Sequence, residues 1–411
     1  MKLNLILKTA ITLLLIAILL GCSQTQTADD TQATAEGVNE VIKANNQFAF
    51  SLYKELRNDS ENIFFSPYSI SAALAMTYEG AKGKTAEEIQ KIFDFPADDI
   101  SRRSSFAKIY NDLNKNENKY DLSTANALWG QRNFSFEEEY IKTVKDYYAG
   151  KLENLDFKTE AEESRKIINK WIEQQTNNKI TDMIPSGAID SLTRLVITNA
   201  IYFKGDWLIE FDKKNTRDQD FKISEGSEIK VPMMGLRGEK AEFSYAETDD
   251  VQLIELLYQG EEISMLVILP KEGTLDDFEK SLDYEKLSEL KNQLEKQRVD
   301  VYLPKFKFET KSMLKQALSG MGMPTAFSEY ADFSGMTNQE RLKIAEVIHQ
   351  AYIDVNEEGT EAAAATAVVM KTVSISPIIP VFRADSPFIF LIQQKDTGNI
   401  LFMGRVLNPV S

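Results

Sequence analysis

The sequence predicts an α+β fold with large, mostly antiparallel sheets, and three observations support that expectation. Apolar residues at helical spacing dominate the first half of the chain. The second half carries short apolar runs at hairpin-like spacing, several of them bounded by Gly or Pro. No second linker and no internal repeat divides residues 41–411, so one large domain is expected there, although length alone would allow two.

The N-terminus is set apart from that domain. Lys2 and Lys8 give a positive start, Thr9 to Leu20 is apolar and uncharged, and Leu19-Leu20-Gly21-Cys22 ends the run. Such a core is short for a membrane span and suits an export signal over residues 1–21. The segment is similar to a bacterial lipobox, in which Cys22 would receive lipid and become the mature N-terminus. The alternative is an uncleaved anchor helix with an incidental cysteine. Cys22 is the only cysteine of the chain, so no internal disulfide can form and the core alone must supply stability. Residues 22–40 are almost free of apolar side chains and read as a flexible tether.

The domain elements follow in order. Val41–Leu56 has helical spacing through Ile42, Phe48, Leu52 and Leu56. Asn62–Pro67 is a short apolar segment, and Ser69–Tyr78 is a small-residue helix suited to burial. Arg102, Arg103 and Lys108 form the nearest thing to a basic patch. With Asp98, Asp99 and Asp112 beside them, they read as a solvated helix face. Glu160–Thr176 is a further amphipathic helix around Ile167, Ile168, Trp171 and Ile172. Strands are expected at Leu195–Phe203, Val251–Tyr258, Ile263–Leu269, Val299–Leu303 and Phe388–Gln393.

One stretch fits no single element. Asn356–Pro377 opens with two acids and a glycine, then runs from Thr360 to Ser376 without Gly or Pro and with only Glu361 and Lys371 charged. At a period of two, Thr360, Ala362, Ala364, Thr366, Val368 and Met370 share one face, while both charges fall on the other. That suits a half-buried strand. The alanines and the Thr360-Glu361 start suit a helix equally well, so both readings stand. A segment tolerable as loop, helix or strand could also switch among them.

Composition excludes several functions. The net charge is −16, and −18 once residues 1–21 with their two lysines are removed, which argues against binding nucleic acid. A His/Cys metal site is excluded by count, because the chain has one histidine, His349, and one cysteine. No cofactor motif is present. A Ser–His–Asp triad would have to use His349, which sits in the apolar run Ile344–Ile353 with no Gly-x-Ser-x-Gly turn. A two-carboxylate glycosidase is compatible with composition, but no pair of acids stands out. Ser66, Ser69 and Asn199 also interrupt apolar segments, so together with His349 they point to a polar cluster in the core.

Those segments carry a resemblance. Asn62-Ile-Phe-Phe-Ser-Pro-Tyr-Ser-Ile70, Thr198-Asn-Ala-Ile-Tyr-Phe-Lys-Gly-Asp-Trp207, Glu357-Glu-Gly-Thr-Glu-Ala-Ala-Ala-Ala-Thr366, Phe382-Arg-Ala-Asp-Ser-Pro-Phe-Ile-Phe390 and Leu401-Phe-Met-Gly-Arg-Val-Leu-Asn-Pro409 resemble, in order, five motifs of the serpins. The resemblance covers residues 41–411. It implies three β-sheets, eight or nine helices and an exposed reactive-centre loop.

It also implies a mechanism. A serine protease would cut the loop, become acylated, and be carried across the molecule as the loop inserts into the main sheet. The hinge would be Glu357, Glu358, Gly359, Thr360, Glu361, Ala362, Ala363, Ala364, Ala365 and Thr366. Ser66, Ser69, Asn199 and His349 would form the shutter beneath the sheet, and Trp207 would stand at the breach where insertion begins. The family's spacing from the hinge glycine leads from Gly359 to Val373, so Val373–Ser374 would be the reactive bond. Lys371–Thr372 is the alternative bond. A valine there implies an elastase-like or subtilisin-like target; Lys371 would draw a trypsin-like one. The competing readings are a non-inhibitory serpin and a lipid-anchored hydrolase or solute-binding lipoprotein. The expected protein is an exported, monomeric, cell-envelope lipoprotein whose partners are a serine protease and, through Cys22, a membrane. No glycosaminoglycan is expected among them.

Overall fold

The computed structural model describes residues 27–410 apart from 59–60, 116–117, 225, 272–274, 340 and 361–378. The expected signal and Cys22 lie outside these. In chain order the elements are α1 (Ala35–Leu56), β1 (Ile63–Phe65), α2 (Pro67–Tyr78), α3 (Gly83–Phe93), α4 (Asp99–Leu113), β2 (Tyr120–Gln131), α5 (Glu138–Tyr148), β3 (Lys151–Leu155), α6 (Phe157–Gln175) and β4 (Leu195–Asp206). The second half holds β5 (Arg217–Ser224), β6 (Ser227–Leu236), β7 (Glu242–Glu247), β8 (Val251–Leu257), β9 (Ile263–Pro270), α7 (Leu275–Ser281), α8 (Tyr284–Lys291) and β10 (Glu295–Arg298). The chain then forms β11 (Asp300–Pro304), β12 (Phe306–Met313), α9 (Lys315–Met321), β13 (Glu346–Val355), β14 (Gly359–Thr360), β15 (Val381–Arg383), β16 (Phe388–Gln394) and β17 (Ile400–Val406).

Three sheets and, among the described residues, nine α-helices match the expected architecture. The largest sheet runs β1-β17-β16-β9-β8-β7-β10, and a four-stranded sheet runs β15-β11-β6-β5. The third runs β12-β13-β14-β4-β2-β3 and separates two apolar layers. Side chains alternate across a strand. On β4, Ile197, Ile201 and Phe203 enter the main core, while Val196 and Ala200 meet a second core under α6. That second core is built from Trp129, Phe157, Ile168, Ile172, Met183 and Ile184. Each predicted strand is present, and β2 and β3 add strands to a half of the chain that reads as mostly helical.

The tether expected over residues 22–40 is corrected from Ala28 onward, where the chain is held to the body, while residues 22–26 lie outside the described residues. The Ala28 N–H donates to Asn111 Oδ1 and Asn111 Nδ2 donates to the Ala28 carbonyl, both at 2.9 Å, while the Asp29 N–H donates to the Asp146 carbonyl at 2.6 Å. Helix α1 then starts at Ala35, where Thr34 Oγ1 accepts the Gly37 N–H at 3.1 Å. Gly37 lets α1 approach α4 closely, since a Cβ there would lie 2.4 Å from Ser101 Oγ and the serine would have to shift.

The expected solvated face on α4 is corrected as well. Arg102 is only 1% exposed and lies 4.6 Å over the Tyr78 ring. It donates to Glu79 Oε1, to the Pro96 carbonyl and to Asp99 Oδ1, while Arg103 takes the second oxygen of Glu79. Charge alone marked these residues as solvated. The buried Glu79 carboxylate is what draws Arg102 inward, since a buried charge must be paired.

Candidate functional site

The site is a gap that begins between two strands. β13 and β4 pair in parallel, with Glu346–Tyr352 alongside Val196–Tyr202. Above Tyr352 and Tyr202 the strands part, and β14 fills the opening. Gly359 pairs with Asp206, and Thr360 pairs with Gly205 on one side and with Val355 on the other. Glycine is required at 359 by close approach, because a Cβ there would lie 2.1 Å from the Gly205 carbonyl oxygen. Thr360 is 1% exposed, and its hydroxyl shares a 2.8 Å hydrogen bond with the Tyr258 hydroxyl.

The residues leading into β14 are held from both sides. The Trp207 and Phe211 N–H groups donate to the carbonyls of Glu358 and Glu357 at 2.7 and 2.9 Å. Trp207 Nε1 donates to the Asn356 carbonyl at 3.0 Å, and the indole stacks on Tyr258 with centroids 4.5 Å apart. Thr216 Oγ1 donates to Glu357 Oε1 at 2.7 Å, and Lys305 Nζ to Oε2 at 2.8 Å. Burial opposes the charge on Glu357, but the Lys305 and Thr216 donors outweigh it and hold the carboxyl below the usual range. Lys213 pairs with Glu358 in a more solvated setting, where an ion pair contributes less.

Lower on the same strands lies a polar row. His349 faces Asn199 on β4, which faces Asn126 on β2, and Ser312 completes the row on β12. The Ser66 N–H donates to His349 Nε2 at 3.1 Å, so the ring proton sits on Nδ1 and is donated to Asn199 Oδ1 at 2.5 Å. Asn199 Nδ2 donates to Ser69 Oγ and Asn126 Oδ1. Ser66 Oγ accepts the Ser69 N–H at 3.1 Å and caps α2. The row therefore fixes the start of α2 to the underside of the sheet. Both ring nitrogens are occupied and His349 is fully buried, so this geometry does not assemble a catalytic triad.

The structure thus brings together Ser66, Ser69, Asn199 and His349, and separately Glu357, Glu358, Gly359, Thr360 and Trp207. Glu361, Ala362, Ala363, Ala364, Ala365, Thr366, both reactive-bond pairs (Val373–Ser374 and Lys371–Thr372) and Cys22 lie outside the described residues. The sequence reading missed Asn126, Tyr258, Thr216 and Lys305. Asn126 had a signal: Ala125-Asn126-Ala127 repeats the small–Asn–small pattern around Asn199. Lys305 had none, because its partner is far away in sequence.

Burial pushes His349 from its ordinary 6.5 to about 3, so the ring is neutral in the closed sheet. Between those values the opened or unfolded chain binds one more proton. The contribution of His349 is therefore complete above pH 6.5 and falls by about 1.4 kcal/mol per unit on acidification toward 3. The expected result is a melting temperature that drops between pH 7.5 and 5 in the wild type. In His349→Gln it starts lower at pH 7.5 and drops less. Parallel pH profiles for the two proteins would remove His349 from this role.

Known proteins share this fold and much of this sequence. The family model described as "Serpin (serine protease inhibitor)" matches residues 43–409. An uncharacterized serpin-like protein of Thermococcus kodakarensis is 45% identical over 372 residues, covering 90% of this chain and 86% of that protein. Serpin B3 of Homo sapiens is 40% identical over 396 residues, covering 90% of this chain and 100% of that protein. The crystal structure of Serpin48 from the insect Tenebrio molitor superimposes with a TM-score of 0.81 at 36% identity, covering 90% of this chain and 98% of that one. On the family model, the relatives and the shared fold, this chain belongs to the serpin family of serine protease inhibitors.

Proposed function

We propose that the protein inhibits a serine protease as a suicide substrate. Its loop is cut, the protease is held as an acyl ester, and the loop residues after Thr360 insert between β13 and β4. The observation that carries this reading is the two-residue strand Gly359–Thr360, already paired with both neighbours at the mouth of the gap.

The pairing also sets the register for what would follow. Continued antiparallel, Ala362 would meet Ile353 and Phe203, Ala364 would meet Ala351 and Ile201, and Val368 would meet Val347 and Ile197. All of these neighbours are buried on the core face. Thr366 would arrive between His349 and Asn199, where its hydroxyl could replace the hydrogen bond broken by separating them. Glu361 and Lys371 would lie on the opposite face. Insertion exchanges one parallel ladder for two antiparallel ones, which favours the inserted form. A non-inhibitory member would be expected to place a charge, a proline or bulky residues on the inward face, and this hinge has none.

The reactive bond we favour is Val373–Ser374, with an elastase-like or subtilisin-like target; Lys371–Thr372 with a trypsin-like target is the second reading. We also propose export and a lipid on Cys22. Ala28 is fixed to the body, so the six-residue reach back to Cys22 would hold the membrane within about 20 Å of the α4–α5 flank. The domain is taken to act as a monomer. Incorporation of a fatty-acid analogue should disappear in Cys22→Ala while protease inhibition persists, and labelling that survives the substitution would remove the lipid assignment.

Incubation with an elastase-like protease should give an adduct near the summed mass that survives boiling in detergent, and release a C-terminal fragment beginning at Ser374. A fragment beginning at Thr372 would move the bond to Lys371. Turnover with no adduct for every serine protease tried would overturn the inhibitory reading. Thr360→Arg should be cut at the same bond without trapping, because an unpaired guanidinium cannot occupy the place beside Tyr258. Thr360 is already seated, so this substitution also loosens the uncut protein.

A further inference from the structure

A cavity of about 340 Å³ opens beside the breach, between the turn after β4, the β7–β8 hairpin and β10. Its walls include Trp207, Leu208, Phe211, Phe243, Leu256 and Leu257, and Leu208 is 37% exposed. The volume is at the lower end for a small-molecule site, roughly 300–1,000 Å³.

One wall residue carries a charge with no hydrogen-bond partner among the described residues. Glu255 is 8% exposed, and among the described residues no hydrogen bond or ion pair closes on its carboxylate. Lys291 feels its field, but the Lys291 ammonium donates to Gln393 Oε1 at 2.8 Å. Of the other cations lining the cavity, Lys296 lies 3.9 Å from Glu242 and Lys395 lies 3.9 Å from Glu261, nearer the mouth. An apolar chamber with a carboxylate in its wall that accepts no hydrogen bond favours a ligand with one positive charge.

We propose that this cavity binds a small amphipathic amine, with its apolar body against Leu208, Phe211, Phe243 and Leu257 and its ammonium against Glu255. The site lies outside the loop and the gap, and its occupation does not depend on protease trapping. Trp207 lines it, so binding is readable in tryptophan emission.

Phenylbutylamine, phenylbutanol and phenylbutyrate share one apolar body and differ in charge. Titrated calorimetrically into the intact protein at neutral pH, the amine should saturate and perturb Trp207 emission. It should bind about tenfold or more tightly than the alcohol, a difference of about 1.4 kcal/mol, and the carboxylate should not bind. Glu255→Gln should weaken the amine by about the same factor and leave the alcohol unchanged. Leu208→Trp, at an exposed position that tolerates bulk, should fill the chamber and abolish binding with the melting temperature retained. Equal affinity for the three compounds, amine binding unchanged in both variants, or no saturable amine binding at millimolar concentration would each overturn the proposal.

Discussion

The parallel pairing of β13 with β4 is the contact on which the rest of the molecule turns. Over Glu346–Tyr352 and Val196–Tyr202 the strands close the sheet, and above that point they separate around Gly359 and Thr360. A strand edge left open exposes unpaired N–H and C=O groups that recruit another strand. Here the recruited residues belong to the same chain and are followed directly by the segment 361–378. On the mechanism we propose, the sheet would pass between two pairings of one sequence, and the contacts around the gap would decide which persists.

Those contacts act at two levels. At the mouth, Trp207, Phe211, Thr216 and Lys305 hold the backbone and carboxylate of the residues leading into the gap, and Tyr258 holds Thr360. Beneath, His349, Asn199 and Asn126 tie β13, β4 and β2 to the start of α2. Both levels are buried, with His349 and Asn199 below and Thr360 and Tyr258 above, so each loses free energy when one member is left unsatisfied. Opening the sheet requires breaking the lower row, while the upper contacts already accommodate the inserted pair.

Much of this was legible in the sequence, for identifiable reasons. Strands buried on both faces, such as β4 and β16, read as continuous apolar runs, and the period-two pattern from Thr360 onward anticipates a strand with one uncharged face. β2 was not legible. Its middle, Ala125-Asn126-Ala127, lacks the β-branched and aromatic residues that mark a strand, because α6 and the polar row pack closely against it. Arg102 and the segment from residue 27 to Ala35 failed for a related reason. Each is polar in sequence, and the burial of Arg102 and the anchoring of Ala28 are set by Glu79 and Asn111, partners that composition does not reveal. The parallel alignment of β13 with β4 was likewise invisible, since the two strands are far apart in the chain and no turn fixes their register.

The central claim is that residues after Thr360 can complete the sheet between β13 and β4. The direct measurement compares heat unfolding of the intact protein with that of the same protein cut once within residues 361–378. If the freed segment becomes a full strand, the cut form gains two antiparallel ladders and melts far above the intact form. A cut form that melts at or below the intact protein would contradict the account.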